Sequence, residues 1–368
     1  MHKLMATSTI LEHELSELRL LVERQTGIVL DCPNSALASH VSDYVEARGL
    51  GSSNALLERL RSGEQDPTNL PSLLDGLINV NAGFFRHPGA LNALTRQVVP
   101  QLCARKSADG PSPLRIWSAG CGSGEETYSI AMAVCDAMNP ANVSCGISGG
   151  GTSNGSGNGN GKSGTRNGGI ADSGPVGAGI AAGVSIHIVG SDLLPHNIET
   201  ADRGVYRQSA LDGLPPGTIR NYFSKFSSPV IVPEVVEDDF QNEDRSPVSG
   251  GSSGKRGATV AVSVASTGHL LVKPRLRSLV TFNCMNLARP GYIGRFDCIF
   301  CMDVLPHFSR AQRIALLERL HLYLEPGGYL FLSQTEKLGP TNLNFRSETF
   351  DGYTFHRKPL AASAAYGR

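Results

Sequence analysis

The chain of 368 residues lacks a dominant charge, since Lys and Arg total 33 and Asp and Glu also total 33. That balance excludes a global field selecting nucleic acid or an anionic membrane. It also lacks any apolar run of transmembrane length, so direct membrane insertion is not expected. The opening "MHKLMATSTILEHELSEL" soon becomes an acidic amphipathic segment instead of the apolar core of a signal peptide. Cysteine is sparse, at eight scattered residues, and does not form the framework of a disulfide-stapled domain. A reduced, cytoplasmic, monomeric protein is the expectation. Cys298 and Cys301 form a CxxC pair, but on an apolar strand such positions face opposite sides. They read as core residues, and no metal site is expected.

Glycine is plentiful but uneven. The stretch "SCGISGGGTSNGSGNGNGKSGTRNGGIADSGPVGAGIAAG", residues 144–183, is mostly Gly, Ser and Asn and holds no aromatic residue. It offers too little apolar area to offset its ordering entropy, so it reads as a disordered insertion. A phosphate-binding loop would be shorter and would join a strand directly to a helix. Residues 237–258, "EDDFQNEDRSPVSGGSSGKRGA", read as a second polar surface loop.

What remains has two grammars. Up to about residue 79 the pattern is helical: Leu11, Leu15, Leu18 and Val22 recur at helical spacing, and Gly27 is placed to end that helix. "NSALASHVSDYVEARGLG", "SSNALLERLRSG" and "NLPSLLDGLI" continue as helices. From Leu114 strands and helices alternate: "PLRIWSA", "GEETYSIAMAVCDAM", "VSIHIVGSD", "HNIETADRGVY", "RFDCIFCMDVL", "SRAQRIALLERLHLYL" and "YLFLSQT", with "EPGG" expected to stop the last helix. This order predicts an α/β fold, a doubly wound and mostly parallel sheet, behind a smaller all-α N-terminal domain. The expected domains are 1–79 and 80–368. Ligands of such sheets bind beyond the carboxyl ends of the strands, where "SAGCGSG", "GSD" and "CMDVLPH" fall.

Gly120, Gly122 and Gly124 lie in the first strand–helix turn, and Glu125 and Glu126 follow at once. A dinucleotide fingerprint would read GxGxxG and present helix-end amides to a pyrophosphate. Here the pattern is GxGxG, and the two carboxylates repel phosphate. A ligand bearing positive charge fits better, and S-adenosylmethionine carries both a sulfonium and an ammonium. Asp192, ending the next strand, is placed to accept hydrogen bonds from ribose hydroxyls.

These stretches carry a resemblance. "NVNAGFFRHPGAL", "IWSAGCGSGEETYSIAM", "GSDLLPHNIETADRGVY", "LVTFNCMNLARP", "FDCIFCMDVLPHF" and "LYLEPGGYLFLSQTEKL" stand in the order found in the chemotaxis receptor (protein-glutamate) methyltransferases, which the chain resembles outside its two polar insertions. Phe84-Phe85-Arg86 and Gly124-Glu125-Glu126 with Tyr128-Ser129 are the most specific parts. The resemblance implies a Rossmann-like S-adenosylmethionine-dependent methyltransferase acting on glutamates in the cytoplasmic helical region of a chemoreceptor-like protein. It implies cofactor contacts at Asn81, Arg86, Glu125, Asp192, Asn286, Leu287, Met302 and Asp303, with Arg86 and His307 flanking the transferred methyl.

The chain departs from that family in several places. Threonines usual around Asn81 are missing, as is one residue before Phe84. Met302 and Asp303 stand where Arg-Asn is usual, and His307 stands where a tyrosine is usual. The second helix lacks the basic face with which relatives approach acidic receptor helices. Each site residue also has a plainer reading: Glu125 and Glu126 as first-turn acids favourable to the helix dipole, Asp192 as a helix cap, Arg86 as an ion-pair residue, and His307 as a polar loop residue or a base for another acceptor. A methyltransferase of different substrate and a cofactor-binding adaptor without turnover are the alternatives.

Overall fold

The computed structural model describes residues 10–62, 69–78, 82–109, 112–138, 184–230, 263–289, 291, 294–339 and 341–360. Asn81, the Gly-rich insertion at 144–183 and the polar loop at 237–258 lie outside the described residues. By compactness the chain divides into one unit of residues 1–204 and 273–368 and a second of residues 205–272.

The first unit opens with helices α1 (Glu12–Thr26), α2 (Asn34–Ala47), α3 (Ser53–Ser62) and α4 (Asn69–Leu74). The buried stripe of α1 is Leu15, Leu18, Leu21 and Val22. Leu11 is instead 55% exposed, because the helix begins one residue after it. Gly27 ends α1 at φ 74°, and a Cβ there would come within 2.8 Å of Phe308. Glycine is therefore required both by the left-handed turn and by close approach.

After α5 (Pro88–Ala93) and α6 (Val99–Asp109), the strand–helix alternation begins with β1 (Leu114–Ala119), α7 (Glu125–Ala137), β2 (Ile186–Asp192) and α8 (Pro195–Arg203). The second unit supplies β3 (Val205–Arg207), α9 (Pro216–Tyr222), β4 (Phe223–Val230) and β5 (Ser263–Val272). Its three strands form an antiparallel sheet in the order β3-β5-β4. The first unit resumes with α10 (Pro274–Arg277), β6 (Val280–Cys284), β7 (Phe296–Cys301), α11 (Arg310–Tyr323), β8 (Leu324–Leu332) and the hairpin β9 (Arg346–Phe350) and β10 (Tyr353–Arg357).

Its seven-stranded sheet runs β6-β2-β1-β7-β8-β10-β9. The first five are parallel and the hairpin adds antiparallel strands at one edge. The strand order reverses at β1, so a crevice opens at its carboxyl end between the neighbours β2 and β7. Near-continuous burial of β1 and β7 reflects cover on both faces. The "EPGG" stretch falls inside β8, where pairing with β7 jumps from Phe296–Leu324 to Cys298–Tyr329. Helix α11 ends at Tyr323, just before this stretch as expected, and the stretch itself forms a bulge in the strand.

The core of the helices before residue 79 is continuous with that of the sheet. Leu18, Val22, Leu37 and Leu73 belong to the same buried cluster as Trp117, Phe296, Ile299 and Leu330 of the sheet and Leu316 and Leu320 of α11. The change of grammar expected near residue 79 thus lies within one compact unit.

Candidate functional site

The glycine turn after β1 is built from alternate left-handed residues, with φ 80° at Gly120, 54° at Gly122 and 97° at Gly124. A Cβ on Gly120 would overlap Val304 Cγ2 at 2.5 Å, so the loop following β7 presses directly on this turn. Asp192 holds it from the other side. One carboxylate oxygen accepts the Gly122 N–H at 3.0 Å, and the other accepts the Leu194 N–H at 2.9 Å and the Asn197 side-chain amide at 3.0 Å. Asp192 therefore ties the glycine turn to α8 while facing the crevice.

The Phe84-Phe85-Arg86 turn is held by α7. Phe85, at φ 52°, donates its N–H to Ser129 Oγ at 2.9 Å, and that hydroxyl donates onward to the Glu125 carbonyl at 2.6 Å. This places the Arg86 guanidinium against the Asp303 carboxylate, with His87 Nε2 3.1 Å from the same carboxylate and 3.2 Å from the guanidinium. Burial and the Arg86 charge lower the His87 pKa, so the imidazole is neutral near pH 7. Asp303 also has a left-handed backbone, φ 57°. Two strained turns thus meet through an arginine–carboxylate pair.

The loop bearing Asp303 is held by Glu336. Its carboxylate accepts the N–H groups of Asp303 at 3.0 Å, Leu305 at 2.9 Å and Ser333 at 2.8 Å. The following turn, Leu305–His307, is met by the end of α1: Val29 donates to the His307 carbonyl at 2.8 Å, and Ile28 bridges to Phe308. Burial lowers the His307 pKa.

These pieces enclose a cleft of about 700 Å³ whose wall includes Arg86, Asp192, Asn286, Leu287, Met302, Asp303 and His307. A smaller cavity of about 50 Å³ adjoins it and shares Arg86, His87, Gly120 and Met302. The cleft volume is that of a small-molecule site.

A family model described as the CheR methyltransferase SAM binding domain matches residues 81–154 and 260–353. Over those residues the chain is similar to the CheR methyltransferases. It resembles chemotaxis protein methyltransferase 1 of Pseudomonas aeruginosa at 27% identity over 87% of this chain and 88% of that protein. It resembles the chemotaxis protein methyltransferase of Vibrio parahaemolyticus at 26% identity over 91% and 92%, and that of Borreliella burgdorferi at 22% over 91% and 92%. Among solved structures, magnesium protoporphyrin IX methyltransferase ChlM of Synechocystis PCC 6803 aligns over 87% of this chain and 93% of that chain at 14% identity, with a TM-score of 0.26. That likeness is too slight to carry an argument.

The ligand of the CheR domain is S-adenosylmethionine, and the residues present fit it. Asp192 offers a carboxylate on the cleft wall, Leu193, Leu287 and Met302 offer apolar walls, and Asp303 offers negative charge for a cationic group. Arg86 is the one arginine or lysine among the described lining residues, and it is already paired with Asp303. One partly engaged cation can orient a single carboxylate but would not balance the multiple negative charge of a pyrophosphate.

The sequence-expected residues are not all disposed alike. Glu125 lines the smaller cavity rather than the main cleft, and its carboxylate accepts the Ser123 hydroxyl at 2.8 Å. Burial raises its pKa. Glu126 turns toward β1 and accepts the Ser118 hydroxyl at 2.6 Å, and desolvation raises its pKa to about 7. Asn286 lines the cleft but spends its side chain structurally, donating to the Gln25 carbonyl at 2.8 Å and accepting the Ala288 N–H at 2.9 Å. Cys298 and Cys301 are both buried on β7, where burial raises both thiol pKa values.

Sequence reasoning missed His87, Glu336 and the cleft-lining Thr26 and Ile28 of the N-terminal helices. His87 adjoins the quoted Phe-Phe-Arg turn and was within reach of that signal. Glu336 was not, because a glutamate after a strand says nothing about three distant N–H groups.

Proposed function

We propose that the protein methylates glutamate side chains in the cytoplasmic helical region of a chemoreceptor-like protein. The reading rests on one observation above others: Arg86, Asp303 and His307 line the same cleft as Asp192, so a carboxylate-binding cation and a hydrogen-bonding imidazole share the cofactor pocket. The names of the relatives, chemotaxis protein methyltransferases, support the acceptor being a protein of that system.

S-adenosylmethionine supplies an electrophilic methyl on its sulfonium. A glutamate acceptor has an ordinary pKa of about 4.3 and is already ionised at neutral pH, so this chain need provide no general base. Arg86 attracts and orients the acceptor carboxylate; of its five donors only some are engaged by Asp303. His307, neutral at pH 7 because burial lowers its pKa, donates an N–H to the second carboxylate oxygen. Pro306 and Phe308 close the wall beside it and exclude water, which matters because opposite charges annihilate as the methyl moves.

Incubation with labelled S-adenosylmethionine and a receptor-enriched membrane fraction should label protein with a methyl group released as methanol in base. A base-stable label would transfer the reading to an amine or hydroxyl acceptor.

The cofactor assignment makes a separate prediction. Asp192→Ala should weaken S-adenosylmethionine binding by about 1–3 kcal/mol, since ribose hydroxyls lose an acceptor and the glycine turn loses its tie. Calorimetry returning wild-type affinity would remove Asp192 from the site.

The pH profile tests the acceptor chemistry. His307 gains its proton only below its lowered value, hence below roughly 6.5, and a carboxylate nucleophile is ionised well below that. Turnover should therefore stay flat from mildly basic conditions to well below pH 6.5, since a protonated imidazole still donates, and His307→Tyr should retain or raise it by keeping a donor. A decline as pH falls through the lowered His307 value, below 6.5, with activity abolished by His307→Tyr, would mark His307 as a base for a different acceptor.

A further inference from the structure

On the far side of Pro306 from the cleft lies a second groove, of about 450 Å³, between α11 and the segment after β8. Pro306 lines both, so the groove leads to the wall that carries His307. Its apolar surface is Pro306, Ile314 and Leu338, and its rim carries Arg310, Arg313 and Lys337, all three exposed. Arg313 donates to the Phe308 and Pro306 carbonyls at 2.7 and 3.1 Å and so braces the His307 turn. Arg310 and Lys337 have no ion-pair partner among the described residues. The carboxylate in the groove, Glu336, is turned inward onto backbone N–H groups.

Unpaired cations around apolar side chains, beside the methyl-transfer site, call for an occupant with the reverse pattern. We propose that this groove docks an acidic amphipathic helix of the protein substrate and so delivers its glutamate past Pro306 into the cleft. Arg310, Arg313, Ile314 and Leu317 share one face of α11, which spans about 10 Å over that interval and matches two turns of a partner helix. Helix α2 cannot supply the same complement, because it carries Asp43 and Glu46 and no lysine or arginine. The inference rests on the acceptor reading above, but its binding step can be measured without turnover.

The test compares the full-length protein with its Arg310→Glu/Lys337→Glu variant, both substitutions lying on exposed side chains away from the cofactor. Fluorescence anisotropy would follow a labelled synthetic acidic amphipathic helix and its Glu→Lys counterpart. The wild type should bind the acidic helix and not the basic one, more weakly as salt rises, and the double variant should lose at least about tenfold in affinity. In turnover assays on a receptor fragment its KM should rise by a similar factor, with kcat and S-adenosylmethionine affinity unchanged. Equal affinity of the two proteins for the acidic helix, or no preference between the helices, would overturn the groove assignment even if methyl esters form. Charge-dependent helix binding without base-labile product would overturn the glutamate reading and leave the groove standing.

Discussion

Arg86→Ala is expected to reduce turnover by roughly 100- to 1000-fold, the range seen when a positioned electrostatic donor is removed from an active site. The substitution acts twice. It deletes the cation proposed to orient the acceptor, and it leaves Asp303, itself only partly exposed, as an uncompensated carboxylate on the cleft wall. That carboxylate would repel the incoming glutamate, so KM for the acceptor should rise as kcat falls. Arg86→Lys keeps the charge without the planar fork and should recover only part of the loss. Turnover within about threefold of wild type in the alanine variant would remove Arg86 from the reaction and make it a structural ion-pair residue.

The second large effect concerns stability. Glu336→Ala removes the acceptor shared by the N–H groups of Asp303, Leu305 and Ser333. Leaving buried donors without a partner costs about 1–3 kcal/mol apiece, partly relieved by water, so a net loss of about 3–5 kcal/mol is expected. Burial raises the Glu336 pKa while hydrogen bonds from Ser333, Leu305 and Val304 oppose that rise, so these hydrogen bonds belong to the ionised form. Thermal unfolding should shift down by roughly 10 °C. Because this loop carries Asp303 and leads to His307, turnover should fall as well. A melting temperature within about 2 °C of wild type, with unchanged kcat, would show that Glu336 braces nothing.

The two effects differ in how visible they were beforehand. Arg86 stands in a Phe-Phe-Arg turn that a family resemblance marks, whereas Glu336 acts on residues far away in sequence and of no special type. The groove by Pro306 is similar, since Arg310 and Lys337 come from a helix and a loop that only packing makes neighbours. Local signals also misled in places. Leu11 continues the helical spacing of Leu15 and Leu18 yet sits outside the helix, and β8 begins at Leu324, ahead of the expected "YLFLSQT", because β7 pairs with it on both sides of the bulge.

The sequence alone determined the doubly wound sheet, because near-continuous apolar strands and amphipathic helices alternate with short turns. It determined the glycine turn as well, since only glycine adopts the left-handed angles at 120, 122 and 124 without strain. Two arrangements waited on the tertiary structure. One is the merging of the N-terminal helices with one sheet face into a single core, which depends on apolar stripes whose partners no local pattern names. The other is the meeting of Arg86 with Asp303, which depends on two strained turns held in place by Ser129 and Glu336. A hydrogen bond between residues distant in the chain leaves no periodicity to read, so such contacts are legible only once the chain is folded.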